Sequence, residues 1–283
     1  MNPLVYHIAS GQCFFSGIAL LVAAAFLRQR AGNLWRRLTW LAMFLGLLAV
    51  TLSSTAIPYW FYAIAIVATL PWFSIHYQQH WLHWAPHAMI AAWLIAAAVE
   101  VPYHALPTIK PTANRALTIL GDSVTAGVGD DQTETWPKII AREHQLEVQD
   151  ISHVGETAAS ALKRIQKTPP TAPLVIVEIG GNDLLGSTTS AQFDHDLNAL
   201  LAELSKRDCQ IIMFELPLPP FYHEYGRVQR AAAKRHHVAL IPKRGFLSIL
   251  AGNGSTLDSI HLSQAGHQRM AEMVWQLIEP AVP

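Results

Sequence analysis

Over its first 105 residues the chain carries five charged side chains, Arg28, Arg30, Arg36, Arg37 and Glu100. That scarcity constrains the fold more than any motif does. Helices that are apolar all round have no face to turn to water, and belong in a core or in lipid. Four apolar runs fill the region, at about residues 8–27, 38–57, 58–75 and 84–99. Crossing a 30 Å hydrocarbon layer takes roughly 20 apolar residues; the first three runs reach about that length, and the fourth, beginning beside Pro86, is shorter. No charged residue holds the fourth at the interface, so the four runs together predict a four-helix transmembrane region over residues 1–105. A cleavable signal peptide fits poorly, because residues 1–10 lack the positive charge such a peptide opens with.

Arg28, Arg30, Arg36 and Arg37 all fall between the first two runs. The positive-inside bias places that loop in the cytoplasm. Four crossings then set everything after residue 105 on the outer side; a fourth segment lying flat would reverse this. His76, His80, His83 and His87 recur at i, i+4, i+7 and i+11, a spacing that could present imidazoles to a metal. Neither carboxylate nor cysteine accompanies them, Trp72, Trp81 and Trp84 flank them, and Pro86 distorts any helix carrying the last one. The set therefore reads as an uncharged loop within an aromatic belt, and no metal is expected there. Residues 101–115 carry Pro102, Pro107 and Pro111 and predict a stiff, extended linker of up to about 45 Å.

Beyond the linker the composition changes, with 16 basic and 19 acidic side chains in residues 106–283. The chain as a whole has zero net charge and lacks the basic surplus of a general nucleic-acid binder. Cys13 lies in an apolar run and Cys209 in the polar half, so no disulfide is expected. Short apolar runs at 116–120, 147–151, 174–179, 210–216 and 238–241 alternate with helical patterns near 136–144, 157–167, 191–206, 225–236 and 264–278. That alternation predicts one α/β domain over residues 116–283, a parallel sheet with helices on both faces. Arg227, Arg230, Lys234, Arg235, Lys243 and Arg244 form a basic stretch that reads as a solvated helix face, with anionic head groups as the other reading.

The first predicted strand ends in Gly121-Asp122-Ser123, which sets a hydroxyl just beyond its carboxyl end. Open α/β sheets build their sites in that crevice. Near the C-terminus, Asp258 and His261 stand three apart, so one turn can bring the carboxylate to Nδ1 and leave Nε2 facing outward, as a base for a serine requires. Such a pair also serves to cap a helix. The third strand ends in Gly180-Gly181-Asn182-Asp183, where the Asn182 amide can donate into the same crevice, and Gly155 follows the second strand with an N–H open to close approach. Each glycine alone is a turn residue; together the loops offer a nucleophile, a base with its acid, and donors for an oxyanion.

These blocks, in this order, resemble those of the SGNH (GDSL) hydrolase family, close to the bacterial thioesterase I/lysophospholipase/arylesterase branch. The resemblance covers about residues 116–280, with Asp150 standing where the family often has Asn. It implies a flavodoxin-like three-layer α/β/α domain. It also implies Ser123 as nucleophile, His261 as base, Asp258 as the acid orienting it, and an oxyanion hole of Ser123 N–H, Gly155 N–H and the Asn182 side chain, with neither metal nor organic cofactor. The absence of any Gly-x-Ser-x-Gly argues against the α/β-hydrolase elbow. The expected protein is a membrane-anchored serine ester hydrolase acting on esters or thioesters, its substrates acyl groups of lipids or envelope glycans. A bacterial inner membrane with the domain on the periplasmic side is the expected location. The alternatives are a non-catalytic SGNH binding domain on the same anchor, and an acyltransferase using the same acyl-enzyme.

Overall fold

The computed structural model describes residues 1–74, 84–128 and 133–283. His76, His80 and His83 lie outside the described residues. The chain divides into two compact units: residues 7–105 with 218–223, and residues 1–6, 106–217 and 224–283.

In the helical unit, α1 (Pro3–Ala9) and α2 (Gln12–Leu27) meet at 86°. Gly11 turns the chain between them at φ 81, a left-handed conformation that glycine adopts at no steric cost. The carbonyls of Ile8 and Ala9 freed by this break accept the Ser54 hydroxyl at 3.0 and 2.6 Å. α3 runs Asn33–Leu52, and the chain leaves it at Ser53 with ψ 141. α4 (Tyr59–Ser74) contains Pro71, and α5 (Ala85–Glu100), which carries His87, continues through a 3-10 turn at Val101–His104.

These lengths correct the expectation of four spans. At 1.5 Å per residue α2 and α4 are each about 24 Å long, short of the hydrocarbon thickness. Among the described residues two helices, Asn33–Leu52 and Ala85–His104, are long and apolar enough to cross, or three if the bent α1–α2 pair counts as one. α2 and α3 pack at Gly17 and Gly46. A Cβ on Gly17 would stand 2.8 Å from the Gly46 carbonyl oxygen, so small residues set this approach. The Trp93 indole N–H donates to Thr69 Oγ1 at 2.9 Å, tying α5 to α4. Phe14, Leu21, Met43, Trp72, Met89 and Trp93 form the core of the unit.

The α/β unit follows the expected alternation. In order come β1 (Ala116–Gly121), α6 (Ser123–Ala126), α7 (Trp136–His144), β2 (Glu147–Asp150), α8 (Ala158–Lys167), β3 (Leu174–Glu178), α9 (Gly181–Leu185), α10 (Ser190–Leu204), β4 (Gln210–Phe214), α11 (His223–Arg235), β5 (Ala239–Ile241), α12 (Lys243–Leu250) and α13 (Gln264–Ile278). The strands pair in parallel in the order β2-β1-β3-β4-β5, the flavodoxin-like arrangement. α8 packs with α10, and α7 and α12 pack with α13. β3 is buried throughout and β1 nearly so, as strands covered on both faces must be. Because β1 lies between β2 and β3, the chain leaves it in one direction and returns on the other side. That switch point opens a crevice at the carboxyl ends of β1 and β3.

Two sequence readings change here. The basic stretch is not one solvated face: Arg230 is buried against Glu215 at 2.6 Å, Lys243 is buried, and Arg227 pairs with Glu224 at 2.8 Å. The linker is not extended from residue 101 onward either. Its start is the 3-10 turn, and its end docks on the α/β unit, where Lys110 N donates to Gln210 Oε1 at 2.9 Å and Thr112 N to the Ala281 carbonyl at 2.7 Å. About five residues remain between, roughly 16 Å of extended chain.

Candidate active site

The site begins where β1 ends. Asp122 caps α6, its Oδ1 accepting the Val124 N–H at 2.9 Å, and this turn sets Ser123 at the first helical position, 8% exposed at the mouth of the crevice. The loop from Thr256 to Leu262 closes on itself through an antiparallel bridge and the Leu257 N–H to His261 carbonyl bond of 2.9 Å. Within it, Asp258 Oδ1 accepts the N–H groups of Ile260 and His261 at 2.7 and 2.8 Å, and Oδ2 lies 2.7 Å from His261 Nδ1. The Ile260 N–H, then the bond to the imidazole, then the His261 N–H hold this carboxyl well below the usual carboxylate range. Asp258 is therefore ionised and accepts a hydrogen bond from the Nδ1–H, so Nε2 carries the lone pair. Nε2 stands 3.1 Å from Ser123 Oγ. The structure thus brings Ser123, His261 and Asp258 into one hydrogen-bonded chain.

Gly155 and Asn182 join them from the neighbouring strand ends. Gly155 has φ 76, and the space where its Cβ would stand is empty to 4 Å. The N–H groups of Ser123 and Gly155 have no acceptor among the described residues. Asn182, in the first turn of α9, differs from expectation. Its amide Nδ2 already donates to Asp122 Oδ2 at 3.2 Å and to the Glu156 carbonyl at 3.0 Å, so both protons are engaged. Asp150 forms the turn an Asn would form there, its Oδ1 accepting the Ser152 N–H at 3.0 Å. Asp183 stays out of the nucleophile's chain and joins two loops instead, its Oδ2 accepting the Ala158 N–H at the start of α8 at 3.0 Å.

Sequence reasoning missed Glu178, the last residue of β3. It is buried beneath Asp122 and hydrogen-bonded to it, and its Oε2 also accepts the Thr125 hydroxyl at 2.9 Å and the Asp122 N–H at 3.3 Å. Burial, then the Asp122 charge, pushes the Glu178 carboxyl well above its ordinary value, so the proton of this acid pair sits on Glu178 and is donated to Asp122. The only signal was a carboxylate inside an otherwise apolar strand, Leu174-Val-Ile-Val-Glu178. Because the folded value lies above the ordinary 4.5, wild-type stability falls as pH rises from there through the folded value, by up to about 1.4 kcal/mol per pH unit. Glu178→Gln keeps the hydrogen bonds and has no proton to lose. Urea midpoints from pH 5 to 8 should decline less in this variant than in wild type; parallel curves would refute the assignment.

A model of the GDSL-like Lipase/Acylhydrolase family matches residues 119–269, more than half of the chain. Esterase TesA of Pseudomonas aeruginosa is 28% identical over 185 residues, covering 60% of this chain and 91% of that protein. Thioesterase 1/protease 1/lysophospholipase L1 of Escherichia coli (strain K12) is 25% identical over 189 residues, covering 62% and 89%. A crystal structure of TesA matches with a TM-score of 0.52 at 26% identity, covering 59% of this chain and 99% of that one.

Proposed function

The chain belongs to the GDSL-like Lipase/Acylhydrolase family and is an SGNH/GDSL-type carboxylic ester hydrolase; on that premise we propose that it is a membrane-anchored enzyme working through an acyl-enzyme on Ser123. The observation that carries this reading is the unbroken chain from Asp258 through His261 to Ser123, at 2.7 and 3.1 Å. His261 Nε2 takes the Ser123 proton as Oγ bonds to the ester carbonyl carbon. Negative charge moves to the carbonyl oxygen, which the N–H groups of Ser123 and Gly155 and the Asn182 amide receive, each donor worth about 2.7–4 kcal/mol of barrier. One Asn182 N–H turns from the Glu156 carbonyl to donate to the oxyanion, since a charged acceptor makes the stronger bond. His261 then gives its proton to the departing alcohol or thiol, and a water that loses a proton to His261 releases the acid. Purified protein should hydrolyse p-nitrophenyl acetate or butyrate; a rate no higher than buffer alone sinks the enzyme reading.

The surface bears on the substrate. Among the described residues of 116–214 and 223–283, the exposed large apolar side chains are Val128, Val154, Leu185, Leu257 and Ile260. All five follow the carboxyl ends of β1, β2 and β3 or lie in the Asp258–His261 loop, so the apolar surface gathers on the crevice side. Such a rim favours acyl esters of lipids over those of glycans, in keeping with the lysophospholipase named among the relatives. Val154→Ser/Leu185→Ser should lose about tenfold or more in kcat/KM on long-chain esters in micelles and leave p-nitrophenyl acetate turnover unchanged. An equal loss on both substrates counts against the rim.

The helices support membrane association, and the arginines favour a cytoplasmic start for α3. Placing the catalytic domain outside then requires α3, α4 and α5 all to cross. The deficit of about 6 Å in α4 is of the size that bilayer thinning absorbs at a fraction of a kcal/mol per Å. A phosphatase fused after Pro283 should be active and a cytoplasmic reporter silent; the reverse result moves the domain inside.

A further inference from the structure

Where α3 begins, a cavity of about 370 Å3 is lined by Arg28, Arg30, Arg36, Thr39, Trp40 and Trp72, with Gly32 and Asn33 at its edge. Among the described residues these arginines are held in place without an ion pair. Arg28 donates through Nη1 to the Trp72 carbonyl at 3.0 Å and lies 5.1 Å over the indole ring. The Arg30 guanidinium lies 5.9 Å over Trp35. Residues 1–99 contain neither Asp nor Glu, so no carboxylate before Glu100 can balance these charges. Glu100 itself stands at the C-terminal end of α5, 3.5 Å from His104.

Two further groups in the lining lack acceptors. Trp72 is 1% exposed and its indole N–H has no hydrogen-bond partner among the described residues. A buried donor left so costs the full desolvation of that group. α3 starts without a side-chain cap at Gly32, which leaves the positive end of its dipole open. Three guanidinium groups and an uncapped helix start around one cavity call for an anion with several oxygens. The volume suits a group of that size with part of its substituent.

We propose that this cavity binds a phosphate group, either the phosphodiester of an anionic lipid or a free phosphate. Guanidinium forks match phosphate oxygens in geometry and charge. The site belongs to the helical unit and stands independently of the ester hydrolase reading.

The test uses the full chain in a neutral detergent, with binding read from the shift in thermal midpoint. Phosphatidylglycerol is compared with diacylglycerol, and inorganic phosphate with sodium chloride at equal ionic strength. Arg30→Gln/Arg36→Gln spares Arg28, whose contacts hold Trp72, and should keep the ligand-free midpoint while raising the apparent Kd at least about tenfold. Should the double variant fold poorly, Arg36→Gln alone carries the same expectation. Stabilisation by phosphatidylglycerol alone identifies a lipid as the source, and stabilisation by inorganic phosphate as well identifies a free phosphate. If neither probe exceeds its control, or if the variants bind as tightly as wild type, the proposal is overturned.

Discussion

Ser123→Ala should lower kcat on p-nitrophenyl butyrate by about 10⁴- to 10⁶-fold and leave KM near the wild-type value. The serine is held at the first position of a one-turn helix, so the substitution removes Oγ without moving its neighbours. What survives is catalysis by the oxyanion donors and by binding alone. His261→Ala should cost nearly as much, and the double variant little more than either single one, because the two act as one unit. Asp258→Asn tests the tautomer separately. An amide there offers Nδ1 a different partner, and the rate should fall while the fold is kept, since Asp258 is exposed and its side chain braces only its own loop. A Ser123→Ala protein as active as wild type would end the acyl-enzyme reading at once.

Asn182→Ala carries the second large effect, about 10²- to 10³-fold in kcat with little change in KM. The split between the two parameters is the informative part. In the resting site the Asn182 amide braces Asp122 and the Glu156 carbonyl, and a residue that did only this would act on stability and binding. Donation to the oxyanion exists only once the carbonyl carbon turns tetrahedral, so its loss appears in kcat. A variant with a lowered thermal midpoint and wild-type kcat would reduce Asn182 to a brace, leaving the Ser123 and Gly155 N–H groups as the hole.

Ser123, Gly155 and Asn182 were legible in the sequence because they follow strand ends, and the strands announce themselves as short apolar runs between polar helices. Leu174–Glu178 is the clearest case. The same run hid Glu178, whose importance rests on Asp122 lying across from it, a neighbour 56 positions away. The occupied Asn182 protons were hidden likewise, since a backbone carbonyl such as that of Glu156 has no sequence signature. In the membrane region apolarity misled for another reason. Hydropathy does not register where helices break, so Gly11 disappeared inside the first run, and Ser53, Ser54 and Thr55 passed as the end of a span. Ser54 instead closes the carbonyls opened at Ile8 and Ala9, which lets the bend exist in a nonpolar setting.

The bond from Thr112 to Ala281 brings the two ends of the hydrolase domain together at the amino edge of the sheet, one β1 length from Ser123. Arg115 reinforces this seam by donating to the Pro283 carbonyl. A pull on the linker is therefore passed into the amino edge of the sheet through these bonds, at the opposite end of β1 from the crevice.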